Sequence, residues 1–233
     1  MALLRGECCV TAGERMASMQ RDDDEGLPYH SDGWIPGGGI SAGETAIPRK
    51  ERLDLLLPHD PATGAVTPAA FQVYLSAMME MIARAQLPLS LMAIAIDDSP
   101  ALDFLGVEGI GLIGRAVVRC IRQETRVHDV VGSTAEKDVN GMPVFLIVCP
   151  LLSEERAAHL AERLRVTMTA YATDPERPWL TLSVGVASMA LDAMDDESLL
   201  ARAGAALRYA KRVGGGCVWR HTDTMRRIVE ADQ

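Results

Sequence analysis

Few residues in this chain have the types and spacing for chemistry. Asp97 and Asp98 end an apolar run, Leu89-Ser-Leu-Met-Ala-Ile-Ala-Ile96, and with Ser99-Pro100 they form a polar cluster that initiates a loop. Arg126-Val-His-Asp129 sets a guanidinium fork three residues before a carboxylate. Such a pair can grip an anion and accept an N–H, or form a surface ion pair worth under about 1 kcal/mol. The cysteines, at 8, 9, 120, 149 and 217, lack the C-x-x-C spacing of a zinc or redox site, and Cys120, Cys149 and Cys217 are expected as core or near-core thiols. His59, His159 and His221 have no metal-ligand spacing and are expected in solvent. Gly37-Gly38-Gly39 has no strand before it and no helix after it, which excludes a phosphate-cradling loop.

The elements that must position these residues begin after a polar stretch. Residues 1–52 carry Asp22-Asp23-Asp24-Glu25, the glycine triplet and prolines at 28, 36 and 48 without apolar periodicity, and are expected to be a disordered tail. Residues 53–221 are expected to form one domain and 222–233 a short C-terminal tail. Phe71, Leu75, Met78, Met79 and Ile82 recur at helical spacing after Pro68 and predict an amphipathic helix to about Gln86, with Met78, Met79 and Met81 filling core. Leu89–Ile96 predicts a buried strand, Ile110–Glu124 a helix, Val127 to about Ser133 a strand and Val144–Val148 another, with Asn140-Gly141 as the turn signal between them. In that reading His128 points to the strand face opposite its neighbours. Ser153-Glu-Glu caps a third helix running to about Tyr171, Leu180–Val186 is a strand, a fourth helix runs from about Glu197 to Arg212, and Cys217–Trp219 is a last strand. The order α-β-α-β-β-α-β-α-β predicts an α+β sandwich, a mostly antiparallel sheet of about five strands flanked by four helices.

The 233 residues, 48% hydrophobic with net charge −9, suit one soluble domain and give no general basic field for nucleic acid or an anionic membrane. No apolar run approaches the roughly 20 residues of a membrane helix, so a cytoplasmic location is expected.

Several segments resemble the GGDEF domains of diguanylate cyclases, over about Asp60 to Arg220. Asp60-Pro-Ala-Thr-Gly-Ala-Val-Thr-Pro-Ala-Ala-Phe71 resembles the family's entry segment, with Asp60, Thr63 and Phe71 retained and both leucines replaced by alanine. Ala161-Glu-Arg-Leu-Arg165, Thr181-Leu-Ser-Val-Gly-Val-Ala187 and Ala206-Leu-Arg-Tyr-Ala-Lys211 resemble three later segments in order. The resemblance implies a nucleotidyl-cyclase-like sandwich. It also shows a loss. The Gly-Gly-Asp-Glu-Phe turn is replaced by the longer Gly132-Ser-Thr-Ala-Glu-Lys-Asp-Val-Asn-Gly-Met-Pro143, in which Glu136 and Asp138 are poor substitutes as Mg²⁺ ligands. The segment after Asp97 keeps only Asp103 and Gly106, and the guanine-reading positions fall on Leu102 and Gly111.

By this resemblance Asp97 stands at a strand-end metal position and Lys211 at a phosphate-contacting one, both vestigial, and no catalytic residue remains. What survives is the family's inhibitory site for cyclic di-GMP: Arg126 and Asp129, with Arg163 as the second anchor. The reading is a catalytically inactive domain that binds cyclic di-GMP as a signalling effector and uses no cofactor. A protein partner of unspecified identity and a homodimer are compatible with it. One rival is a divergent cyclase using Asp97, Lys211 and Mg²⁺. A ligand-free interaction scaffold is the other.

Overall fold

The structure, a computed structural model, describes residues 52–97, 106–137, 141–170, 180–189 and 195–223. The expected tail up to residue 51, Asp98, Leu102, Asp103, Asp138, Cys8 and Cys9 lie outside the described residues.

A 3₁₀ turn, Leu53–Leu56, precedes helix α1, Pro68–Ala85, whose first position is the proline and whose end is Gln86 in the left-handed region at φ 53. Strand β1, Leu89–Ile96, leads toward helix α2, Gly106–Glu124. Strands β2, Val130–Lys137, and β3, Pro143–Pro150, follow, then helix α3, Glu154–Ala170, strand β4, Leu182–Ser188, helix α4, Asp196–Arg212, and strand β5, Val218–Arg220. Helix starts are capped as the residue types dictate: Ser153 Oγ accepts from Arg156 N at 3.4 Å, and the Asp195 carboxylate accepts from Ser198 N at 2.7 Å. Hydrogen bonds from the Ser198 hydroxyl and backbone N–H hold the Asp195 carboxyl below its usual range.

The sheet order is β2-β3-β1-β4-β5, antiparallel except for the β4–β5 pair. Its centre is buried on both faces, which is why β1 reads as an unbroken apolar run rather than an alternation. Met92, Ile94 and Ile96 point into one layer with Ile113, Val117 and Ile121 of α2 and Ala161 and Leu164 of α3. Leu91, Ala93 and Ala95 point into the other with Phe71, Leu75 and Ile82 of α1 and Leu199 and Ala203 of α4. Two helices therefore cover each face, the α+β sandwich expected from the element order.

Two expectations about the β2–β3 hairpin need correction. Strand β2 begins at Val130, not Val127, and it continues through Ser133-Thr-Ala-Glu-Lys137, a stretch expected to be turn. Its far half is exposed and polar because β2 is an edge strand, and its register on β3 shifts between Ser133 and Lys137. Met81 is also misread: it is 55% exposed, while Met79 is buried.

Candidate functional site

Three places matter: the end of β1, the turn before β2, and the outer face of α3. At the first, Asp97 N donates to Thr181 O at 2.9 Å, and the carboxylate accepts from Thr181 Oγ1 at 2.8 Å, from Ser183 Oγ at 2.5 Å and from Gly216 N at 2.8 Å. The chain passes this carboxylate through Gly214, Gly215 and Gly216, all at positive φ, and a Cβ on Gly215 would stand 3.1 Å from Asp97 Cγ. The turn after α4 needs glycine for both reasons.

Asp97 thus clamps β1 to β4 and to the glycine turn. Mg²⁺ requires a near-octahedral oxygen shell at about 2.0–2.1 Å. Among the described residues no three His, Cys, Asp or Glu side chains come together, and Glu136 sits on the exposed far half of β2. The described residues do not fit a Mg²⁺ site at Asp97. Lys211 lies half-buried in the last turn of α4, where a cation suits the helix dipole. We expect Asp97→Ala to lower folding stability by about 2–3 kcal/mol, because three donors lose a charged acceptor. Urea denaturation measures this, and an unchanged midpoint would refute the clamp.

At the second place, α2 ends at Glu124 and is followed by Thr125, whose N and Oγ1 both donate to Ile121 O. The next four residues form a turn closed twice: Asp129 N donates to Arg126 O at 3.1 Å, and Arg126 N donates to the Asp129 carboxylate Oδ2 at 2.8 Å. Arg126–Asp129, expected at the start of a strand, is therefore a turn that precedes it. His128 lies exposed on that turn, and its carbonyl accepts from Tyr74 Oη at 3.4 Å.

The Arg126 side chain is exposed and has no hydrogen-bond partner among the described residues, whereas Asp129 is buried with no donor on Oδ1. Burial pushes the Asp129 carboxyl above its usual range, and burial together with the Asp129 charge pushes the Tyr74 hydroxyl up to about 12.

At the third place, Arg163 on α3 donates through Nε to Glu124 Oε2 at 2.8 Å and through Nη2 to Glu124 O at 2.7 Å. Arg163 is thereby tied to the end of α2, two residues before Arg126. The structure gathers the three expected residues around one junction without joining their charged groups: Arg163 holds Glu124, Asp129 holds a backbone amide, and Arg126 faces outward.

The sequence reading missed Arg52, which bonds to both ends of this turn. Its partners are some seventy positions away, so no local pattern marks it. Among the other candidates, Cys120 and Cys149 are buried thiols as expected, and Cys217 is half-buried. His159 is exposed, but His59 and His221 are partly buried, each with one buried ring nitrogen lacking a partner. Burial pulls the His221 pKa down.

No protein-family profile and no curated protein sequence matches the chain. Solved structures do. The GGDEF domain of DgcB from Caulobacter crescentus, in complex with c-di-GMP, superposes with a TM-score of 0.60 at 19% identity, over 70% of this chain and 95% of that one. The GGDEF domain of FimX from Pseudomonas aeruginosa gives 0.60 at 21%, over 70% and 98%. Diguanylate cyclase SiaD from the same organism, in complex with its activator SiaC, gives 0.60 at 23%, over 70% and 61%. At such identities the likeness is one of fold, and it agrees with the motif segments at Asp60–Phe71, Ala161–Arg165 and Thr181–Ala187: the chain has the fold of the GGDEF domains found in diguanylate cyclases.

Proposed function

We propose that this domain makes no cyclic di-GMP and instead binds it, acting as a signalling effector through Arg126, Asp129 and Arg163. The observation that carries the reading is the turn itself, with an unengaged guanidinium on its surface beside a carboxylate oxygen that has no donor. Cyclic di-GMP supplies what each lacks. Its phosphates and the Hoogsteen edge of guanine accept from an arginine fork, and guanine N1 and N2 donate to a carboxylate.

Binding in this way requires Arg163 to leave Glu124 for the ligand. That exchange costs under about 1 kcal/mol, since Arg163 is 57% exposed and the pair is screened by water. It also requires the Asp129 carboxylate to turn outward, which relieves the desolvation that raises its pKa. The DgcB complex with c-di-GMP supports the choice of ligand, and the SiaD complex with SiaC supports a protein partner for the output.

Among the described residues no helix is long and apolar enough to cross a membrane. We assign the action to the cytoplasm, a reducing compartment that suits the buried free thiols of Cys120 and Cys149.

The test is calorimetric titration of the full chain with cyclic di-GMP, alongside incubation with GTP and Mg²⁺. Saturable binding with a Kd below about 100 μM and no product is the expected result. Absence of binding at that concentration leaves the scaffold reading. Steady product formation that Asp97→Ala abolishes makes the domain a cyclase.

A further inference from the structure

We propose that Arg52 is a positioning residue for the Arg126–Asp129 turn, so that residues 52–53, ahead of helix α1, and the ligand site are thermodynamically linked. For the ligand this rests on the function proposed above. The geometry of the turn stands apart from it.

Arginine carries five N–H donors in a rigid fork, and Arg52 makes five bonds with them. Nε donates to Asp54 Oδ1 at 3.0 Å. Nη1 donates to Arg122 O at 2.7 Å and Thr125 O at 3.0 Å. Nη2 donates to Thr125 Oγ1 at 3.1 Å and Asp129 O at 2.9 Å. Two of these acceptors are carbonyls at the C-terminal end of α2, where a cation is favoured. Two more, Thr125 Oγ1 and Asp129 O, bracket the turn: Thr125 stands just before Arg126, and Asp129 closes it. Between them, Leu53 N donates to Val127 O at 2.8 Å. The turn is thus held at its start, middle and end by two consecutive residues, Arg52 and Leu53, at the start of the 3₁₀ turn.

Asp54, fully buried, anchors this arrangement from below by taking Arg52 on one oxygen and Arg122 Nε on the other at 2.7 Å. A ligand that fixes Arg126 and Asp129 must then also fix residues 52–53, and whatever holds 52–53 must raise affinity for the ligand by the same factor. A lysine at position 52 keeps the charge but directs its donors from one nitrogen, and cannot reach acceptors spread from Arg122 to Asp129.

The experiment uses the full chain as wild type, Arg52→Lys, Arg52→Gln and Thr125→Val. Asp54 keeps Arg122 in all four, and Thr125→Val removes the hydroxyl that accepts from Arg52 and donates to Ile121 O while leaving the Thr125 carbonyl contact in place. Without ligand, amide hydrogen exchange in residues 126–130 is expected to quicken about tenfold in Arg52→Gln while amides of Leu91–Ile96 keep their rates. With ligand, Arg52→Lys is expected to bind cyclic di-GMP about tenfold more weakly and Thr125→Val about threefold, within the usual range of coupling between sites. Saturating cyclic di-GMP should in turn slow exchange of the Leu53 amide in the wild type. Unchanged exchange at 126–130 in Arg52→Gln, or quickening shared equally with Leu91–Ile96, overturns the positioning role. If the wild type binds no cyclic di-GMP, the proposed function fails, and the ligand-free exchange still decides for or against Arg52.

Discussion

An Arg126→Ala protein is expected to bind cyclic di-GMP ten- to a hundredfold more weakly than the wild type while folding with unchanged stability. The loss follows from removing charge-assisted hydrogen bonds, each worth about 1.5–3 kcal/mol, from a fork that would meet phosphate and guanine together. Unchanged stability follows from the geometry of the free protein: the Arg126 side chain is exposed and has no hydrogen-bond partner among the described residues. What Arg126 contributes to the turn is its backbone, and alanine keeps both that N–H to Asp129 Oδ2 and that carbonyl to Asp129 N. Asp129→Ala lacks this separation, because it removes the acceptor that closes the turn as well as the group that would read guanine. Calorimetry at fixed salt with parallel urea denaturation reads both quantities, and salt must be fixed because phosphate contacts weaken as it rises. Affinity within twofold of wild type would place the ligand elsewhere.

The main architecture was legible because burial writes itself into periodicity. Phe71, Leu75, Met79 and Ile82 mark the inward face of α1, and the unbroken run Leu89–Ile96 marks a strand covered on both sides. The far half of β2 was not legible, since an edge strand exposed to solvent has no apolar residues to alternate, and Ser133-Thr-Ala-Glu-Lys137 reads as turn by composition. Nor was the turn at Arg126–Asp129, where a side chain accepting from the backbone three residues earlier displaces the start of the ladder. The candidate residues were found through their types and their resemblance to family segments, whereas their present partners were not. Nothing in the local sequence says that Glu124 holds Arg163, or that Thr181, Ser183 and Gly216 surround Asp97, since those contacts exist only after helices and strands have docked.

Gly185 makes the same point with the largest expected effect on stability. It sits in the middle of β4 between Ala93 of β1 and Trp219 of β5, and in the sequence it is only one glycine inside a family-like strand segment. A Cβ at this position would stand 2.2 Å from Leu207 N, 2.3 Å from Ala203 O and 2.8 Å from Leu207 Cα, all backbone atoms of α4. Backbone cannot rotate aside, so Gly185→Ala must push the helix off the sheet and open space along the Leu199–Ala203–Leu207 face. We expect a loss of about 4 kcal/mol or more, a large share of the 5–15 kcal/mol that holds a typical domain folded. Gly132 supplies the control. Its added Cβ would stand 2.2 Å from Phe71 Cδ2, 2.6 Å from Cγ and 2.9 Å from Cβ; these are side-chain atoms of one residue, of which the ring can turn and Cβ needs a small shift of α1, so a smaller loss of about 1–3 kcal/mol is expected there. Urea denaturation of both variants distinguishes them through the midpoint at constant slope. Equal shifts for the two, or less than about 1 kcal/mol for Gly185→Ala, would mean that the close approach of β4 and α4 is not what requires glycine at this position.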